Sequence, residues 1–110
     1  MSEFITFKRW SLRDGREESE LVRLVREEII PHYEKLTGCL RLGLLNIEGT
    51  RTYLALQHWK SRDAWSAAIQ SDDYQAWYRA FRPMLKRWDE LMIFEEEWES
   101  EDVLRVGSGV

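Results

Sequence analysis

Apolar residues along the 110-residue chain follow two different rhythms. Val22, Val25, Ile29, Tyr33 and Leu36 recur at steps of 3, 4, 4 and 3, and Tyr74, Trp77, Phe81, Leu85 and Trp88 repeat the same steps. That spacing puts each set on one face of a helix. The first helix is expected to open at Asp14, with Glu17 completing a capping box, to kink or restart at Pro31, whose ring removes a hydrogen bond and crowds the preceding turn, and to end at Gly38. Ser61 can cap a short helix running to Gln70, and Ser71-Asp72-Asp73 can start the longer one.

Four other segments read as strands. Phe4 to Leu12 is rich in strand formers. Cys39 to Ile47 sets Leu40, Leu42 and Leu44 on one face and Arg41, Gly43 and Leu45 on the other. After the turn Glu48-Gly49-Thr50, Thr52 to Trp59 carries Leu54, Leu56 and His58 on one side and Tyr53, Ala55 and Trp59 on the other. Leu91 to Glu99 closes the series. The order, strand, helix, strand and again strand, helix, strand, predicts an α+β fold: a ferredoxin-like split βαβ repeat with a four-stranded antiparallel sheet and helices on one face. Phe7 to Pro31 and Trp59 to Pro83 are both separations of 24, an echo in keeping with duplication. One helical layer leaves the opposite face of the sheet open, and strands two and three offer apolar residues to both faces. An apolar open face of this kind marks an interaction surface, so a homodimer with its sheets face to face is expected.

Composition narrows the function classes. Six Trp, four Tyr and four Phe are a heavy aromatic load for one small domain, and each such ring buries roughly 150–250 Å². Residues 1–104 are expected to form a single domain, with 105–110 a frayed tail. A net charge of −4 argues against general nucleic-acid binding, which needs a basic stripe. A bilayer-spanning run and a secretion-type N-terminus are both missing from the sequence, so a cytoplasmic protein without membrane attachment is expected. The single cysteine, Cys39, allows neither an intrachain disulfide nor a thiolate zinc cage. His32 and His58 lie in different elements without metal-ligand spacing, and no metal site is expected. His32, next to Pro31, is expected to be exposed or capping.

The stretch Tyr53-Leu54-Ala55-Leu56-Gln57-His58-Trp59-Lys60-Ser61-Arg62-Asp63-Ala64-Trp65, followed by Ser71-Asp72-Asp73-Tyr74-Gln75-Ala76-Trp77, resembles the antibiotic-biosynthesis monooxygenase-like group of dimeric α+β barrel proteins. In that group a strand ends in Trp, a polar residue and Ser, and a Ser-x-x-aromatic turn starts the second helical piece. The resemblance implies a dimeric barrel and, among its members, cofactor-independent oxygenases of electron-rich phenols and haem-degrading enzymes. The haem-degrading branch uses a helix histidine and a strand-one asparagine. Here Tyr74-Gln75-Ala76-Trp77-Tyr78 and Phe4-Ile5-Thr6-Phe7-Lys8-Arg9-Trp10 contain neither, so haem is not expected and no cofactor is assigned.

The leading expectation is a cofactor-independent monooxygenase of an aromatic or polyketide-like substrate, with a non-catalytic dimeric barrel holding an apolar small molecule as the alternative. His58 and Arg41 are the candidate catalytic residues, for deprotonation and for anion stabilisation. Tyr53, Trp59 and Tyr78 are the candidate substrate-binding residues, forming an aromatic cleft with few polar groups. For His58 the reading favoured over catalysis is a strand-end histidine packed on a helix or wetted at the rim. Trp65, Trp77 and Trp88 are expected in helix packing, and Trp10 and Trp98 along a cavity or dimer seam. The acidic run from Glu95 to Asp102 reads as a solvated edge strand, and Arg79, Arg82 and Lys86 as a basic helix face able to pair with it.

Overall fold

A computed structural model describes residues 3–101. The expected tail, 105–110, lies outside them. Strand β1 (Phe4–Leu12) is followed by helix α1 (Glu18–Leu24), a π-helical segment (Val25–Ile29) and helix α2 (Ile30–Tyr33). The hairpin β2 (Cys39–Asn46) and β3 (Thr52–Trp59) comes next, then helices α3 (Arg62–Gln70) and α4 (Asp72–Leu91) and strand β4 (Met92–Glu101). The strands form one antiparallel sheet in the order β2-β3-β1-β4, the ferredoxin-like arrangement, with the helices on one face.

Local chemistry accounts for the departures from the periodic reading. Gly15 takes φ +80° in a tight turn, so α1 starts later than Asp14. Its N-cap is Glu17, whose backbone N–H donates to the Glu20 carboxylate at 2.9 Å, and this bond holds the Glu20 carboxyl below its ordinary pKa. Arg51 ties the β1–α1 loop to the hairpin, its guanidinium donating to the carbonyls of Arg13 and Arg16. At Pro31 the helix restarts, one of the two expected outcomes, and is not a continuous helix with a kink. The chain widens ahead of it, with the Ile30 N–H bonding the Val25 carbonyl five residues back, and the proline occupies the first turn of α2, where a missing N–H costs little. Helix α2 ends at Tyr33 instead of Gly38. Gly38, at φ +92°, instead closes a turn whose carbonyl accepts from Lys60 N–H at 2.9 Å.

Strand parity decides which side chains meet the helices. Phe4, Trp10 and Leu12 of β1 and Tyr53, Ala55 and Trp59 of β3 pack beneath them, around a core that includes Leu21, Leu24, Phe81, Trp88 and Met92. Complete burial of a side chain such as Phe4, Leu21 or Met92 contributes roughly 1.5–3 kcal/mol. Ser61 caps α3 as expected, accepting from Ala64 N–H at 3.0 Å. Trp65 packs on Phe4, with ring centroids 5.2 Å apart.

The opposite face holds Phe7 stacked on Trp98 at 5.4 Å, with Leu45 and Ile93 exposed. Gly43 belongs there too: a Cβ at this position would come within 2.9 Å of Leu56 Cγ across the hairpin, so glycine lets Leu56 lie over β2. The edge strand β4 is charged as expected. A bulge opposite Arg9 and Trp10 turns Glu95 outward, and Arg9 bonds Glu95 at 3.0 Å and Glu96 at 2.6 Å. The basic face of α4 is not what neutralises this strand. Lys8, Arg9 and Arg62 pair with its glutamates, while Arg82 lies over the Tyr78 ring at 5.8 Å. Among the described residues no helix is long and apolar enough to cross a membrane.

Candidate active site

A cavity of about 560 Å³ separates the sheet from the helices, within the size range of small-molecule sites. Its floor comes from the helix-facing positions of the strands: Thr6, Lys8 and Trp10 of β1, Leu42 and Leu44 of β2, and Ala55, Gln57 and Trp59 of β3. Its roof is largely aromatic, with Tyr33 from the first helical arm and Tyr74, Trp77, Tyr78, Phe81 and Trp88 from α4. Helix α4 supplies so many because its apolar stripe faces the sheet over twenty residues.

The rings are held in place by one another. Tyr33 stands edge-on to Trp77 at 4.9 Å and to Phe81 at 5.3 Å, and Trp10 meets Trp88 edge-to-face at 5.2 Å. His32 is buried, not exposed. Its ring stacks on Trp77 at 4.5 Å, and two reciprocal bonds of 2.8 Å lock the pair: His32 Nε2–H donates to the Trp77 carbonyl, and Trp77 Nε1–H donates to the His32 carbonyl. These bonds tie α2 to α4 and fix the roof. The Trp88 indole N–H is buried with no hydrogen-bond partner among the described residues.

Polar groups inside the cavity are few and ordered. Trp59 Nε1–H donates to Gln57 Oε1 at 3.0 Å, and Gln57 Nε2–H donates to the Tyr33 hydroxyl at 3.2 Å. Burial, reinforced by the neighbouring phenols of Tyr74 and Tyr78, pushes the Tyr33 hydroxyl well above the ordinary tyrosine pKa, so it stays protonated. Burial raises Tyr74 as well. Lys8 brings the only formal charge among the described lining residues, half-exposed and 3.9 Å from Glu97. No three His, Cys, Asp or Glu side chains among the described residues gather closely enough to hold a metal ion.

The five residues singled out from the sequence separate in space. Trp59 and Tyr78 line the cavity. Tyr53 packs in the core and donates to the Glu18 carboxylate at 2.5 Å; burial first, and that bond second, push its pKa up to about 12. Arg41 and His58 are cross-strand partners on the face away from the helices. His58 Nε2 bonds the Glu3 carboxylate, and Arg41 borders a smaller recess of about 280 Å³ beside Cys39 and Glu34. Burial raises the Cys39 thiol pKa. Lys8, Tyr33 and Gln57 were not singled out from the sequence. The available signal was parity, since Lys8 lies two positions from Trp10 on the same face of β1, and Gln57 falls between Ala55 and Trp59 on the helix-facing side of β3.

The family model for antibiotic biosynthesis monooxygenases matches residues 4–80. The chain belongs to that family. Solved structures share the fold at low identity. SnoaB, a cofactor-independent oxygenase from Streptomyces nogalater, superimposes with a TM-score of 0.67 at 14% identity, covering 96% of this chain and 98% of its own. A protein of unknown function from Nitrosomonas europaea gives 0.64 at 13% identity, with 96% and 93% covered. A conserved protein from Methanosarcina mazei Go1 gives 0.60 at 16%, with 93% and 92% covered. No curated protein matches the sequence.

Proposed function

We propose that the protein is a cofactor-independent monooxygenase of a planar aromatic or polyketide-like phenol, bound between sheet and helices. The observation that carries this reading is the cavity of about 560 Å³ with its aromatic roof, few polar groups and one cation. Membership of the antibiotic biosynthesis monooxygenase family supports it, as does a fold shared with a cofactor-independent oxygenase. Trp59 and Tyr78 flank the rings of the substrate, and Lys8 stabilises its anion. The substrate phenol or activated C–H loses its proton to water, and the resulting anion passes one electron to O₂. The two radicals combine into a C–O bond, the peroxide takes a proton from solvent, and loss of water leaves a new carbonyl. The protein's part is to desolvate and orient the rings and to stabilise the anion. No carboxylate or imidazole is found among the described lining residues, which favours a substrate acidic enough to ionise in water. The same observation favours the second reading, a non-catalytic barrel that holds an apolar molecule.

The homodimer is part of the proposal. Phe7, Trp98, Leu45 and Ile93 give the outer face an apolar centre beside the polar and charged side chains of Arg9, Glu95, Arg41 and His58. Two such faces packed together would bring the Arg41–His58 pairs into the interior of the barrel, so their candidate role belongs to the dimer and not to the cavity. Sedimentation at micromolar concentration is expected to give a dimer, and a stable monomer would contradict that arrangement. Oxygen uptake with anthrone-like phenols tests the reaction: uptake above the uncatalysed rate supports an oxygenase. Saturable binding without uptake supports the container.

A further inference from the structure

The chain of bonds through Gln57 has a direction. An indole N–H can only donate, so Trp59 fixes the oxygen end of the Gln57 amide, and the amide nitrogen must then point at Tyr33. The Tyr33 hydroxyl accepts that bond and keeps its own hydrogen, for which no acceptor is found among the described residues. Its ring is clamped edge-on by Trp77 and Phe81, so the hydroxyl is held at the sheet floor, inside the cavity it lines. A part-buried hydroxyl hydrogen held in a largely apolar cavity without a protein partner costs free energy that a ligand acceptor recovers.

From this geometry, and resting on the cavity being a site for planar aromatic molecules, we infer that the Tyr33 hydroxyl is the donor that fixes a carbonyl or oxyanion oxygen of the ligand. Trp59 and Gln57 act through it as positioning residues. The cavity therefore selects aromatic molecules bearing a ring oxygen acceptor over bare hydrocarbons of the same outline. A site built to donate to an oxygen rejects an analogue lacking it, because the donor is then left buried and unpaired.

Two probes that share a solubilising sulfonate and a three-ring outline separate this inference from the reading beneath it: anthraquinone-2-sulfonate, which carries ring oxygens, and anthracene-2-sulfonate, which does not. Binding is followed by quenching of tryptophan fluorescence. The unaltered protein is expected to prefer the quinone by about tenfold, the scale of one well-placed hydrogen bond. Tyr33→Phe is expected to reduce that preference to within about twofold by weakening the quinone alone, and Gln57→Met to reduce it in part. Equal weakening of both probes by Tyr33→Phe would make Tyr33 a packing residue and overturn the inference. An undiminished preference in Tyr33→Phe would overturn it as well, as would the lack of any preference in the unaltered protein. If neither probe binds the unaltered protein, the aromatic cavity reading itself fails and the inference goes with it.

Discussion

Trp77 and Trp88 offer the same substitution on one helix with opposite hydrogen-bond consequences. Both are more than nine-tenths buried, at 8% and 7% exposure, and both line the cavity, so truncation to phenylalanine removes similar apolar surface. Trp77→Phe also removes the indole donor to the His32 carbonyl. A net hydrogen bond is worth about 0.5–1.5 kcal/mol, and the His32 carbonyl keeps its bond from Lys35 N–H at 3.2 Å, so it is not left unpaired. Part of the stacking on His32 and Phe81 goes too, at about 0.5–1.5 kcal/mol. The two losses together come to about 1–3 kcal/mol. Among the described residues Trp88→Phe breaks no side-chain hydrogen bond and removes a buried N–H that has no partner. That relief offsets the lost edge-to-face contact with Trp10, leaving about 0–1 kcal/mol. Urea unfolding followed by far-ultraviolet circular dichroism avoids the altered fluorescence. With a slope of about 1–2 kcal/mol per molar, Trp77→Phe should lower the midpoint by about 0.5–3 M and Trp88→Phe by no more than about 1 M. A midpoint lowered as far by Trp88→Phe as by Trp77→Phe would refute the reasoning that the reciprocal His32–Trp77 bonds fasten the roof.

Ser61→Ala removes the α3 cap bond to Ala64 and should cost about 1 kcal/mol in the same unfolding assay, whereas an unchanged midpoint would mean that solvent caps the helix as well. Gly38→Ala forces a side chain into φ +92° with its Cβ 3.1 Å from Ala64 Cβ; a loss exceeding about 1 kcal/mol is expected from thermal melts. The raised pKa of Tyr53, about 12, means that folding favours its protonated form. Its contribution is complete below the unfolded value near 10 and is lost as pH rises through about 12. Tyr53→Phe should therefore flatten the fall in stability across that window. An unaltered pH profile in urea titrations would show that Tyr53 ionises as it does in the unfolded chain.

Much of the fold was legible because side-chain period survives folding. Thr52–Trp59 matches its expected strand, and the stripe from Tyr74 to Trp88 does form the face of α4 turned to the sheet. The π-helical widening before Pro31 was not legible, since shifting a hydrogen bond by one residue leaves the apolar stripe intact. Gly15 displaced the expected cap from Asp14 to Glu17, although Glu17 and Glu20 carry the spacing of a capping box themselves. For the candidate site the limit is sharper. A period of two assigns His58 to the side of Leu54, but it does not say on which side the helices lie, and that choice alone takes Arg41 and His58 out of the cavity. His32 looked exposed beside a proline because its partners, on Trp77, are 45 positions away. The Tyr33–Gln57 bond likewise joins residues 24 apart, a contact that only the assembled sheet and helices create.

The central claim is that the sheet–helix cavity takes up an aromatic phenol and delivers it to oxygen. An oxygen electrode with anthrone tests it directly, comparing the unaltered protein with Ala55→Phe, which places a ring on the cavity floor, after circular dichroism has shown both to be folded. The expected result is one O₂ consumed for each anthrone converted to anthraquinone and water, well above the rate without protein, and a rate near background in Ala55→Phe. Equal rates with and without the unaltered protein would contradict oxygenase action on anthrone, and a rate unchanged in Ala55→Phe would place the reaction outside this cavity.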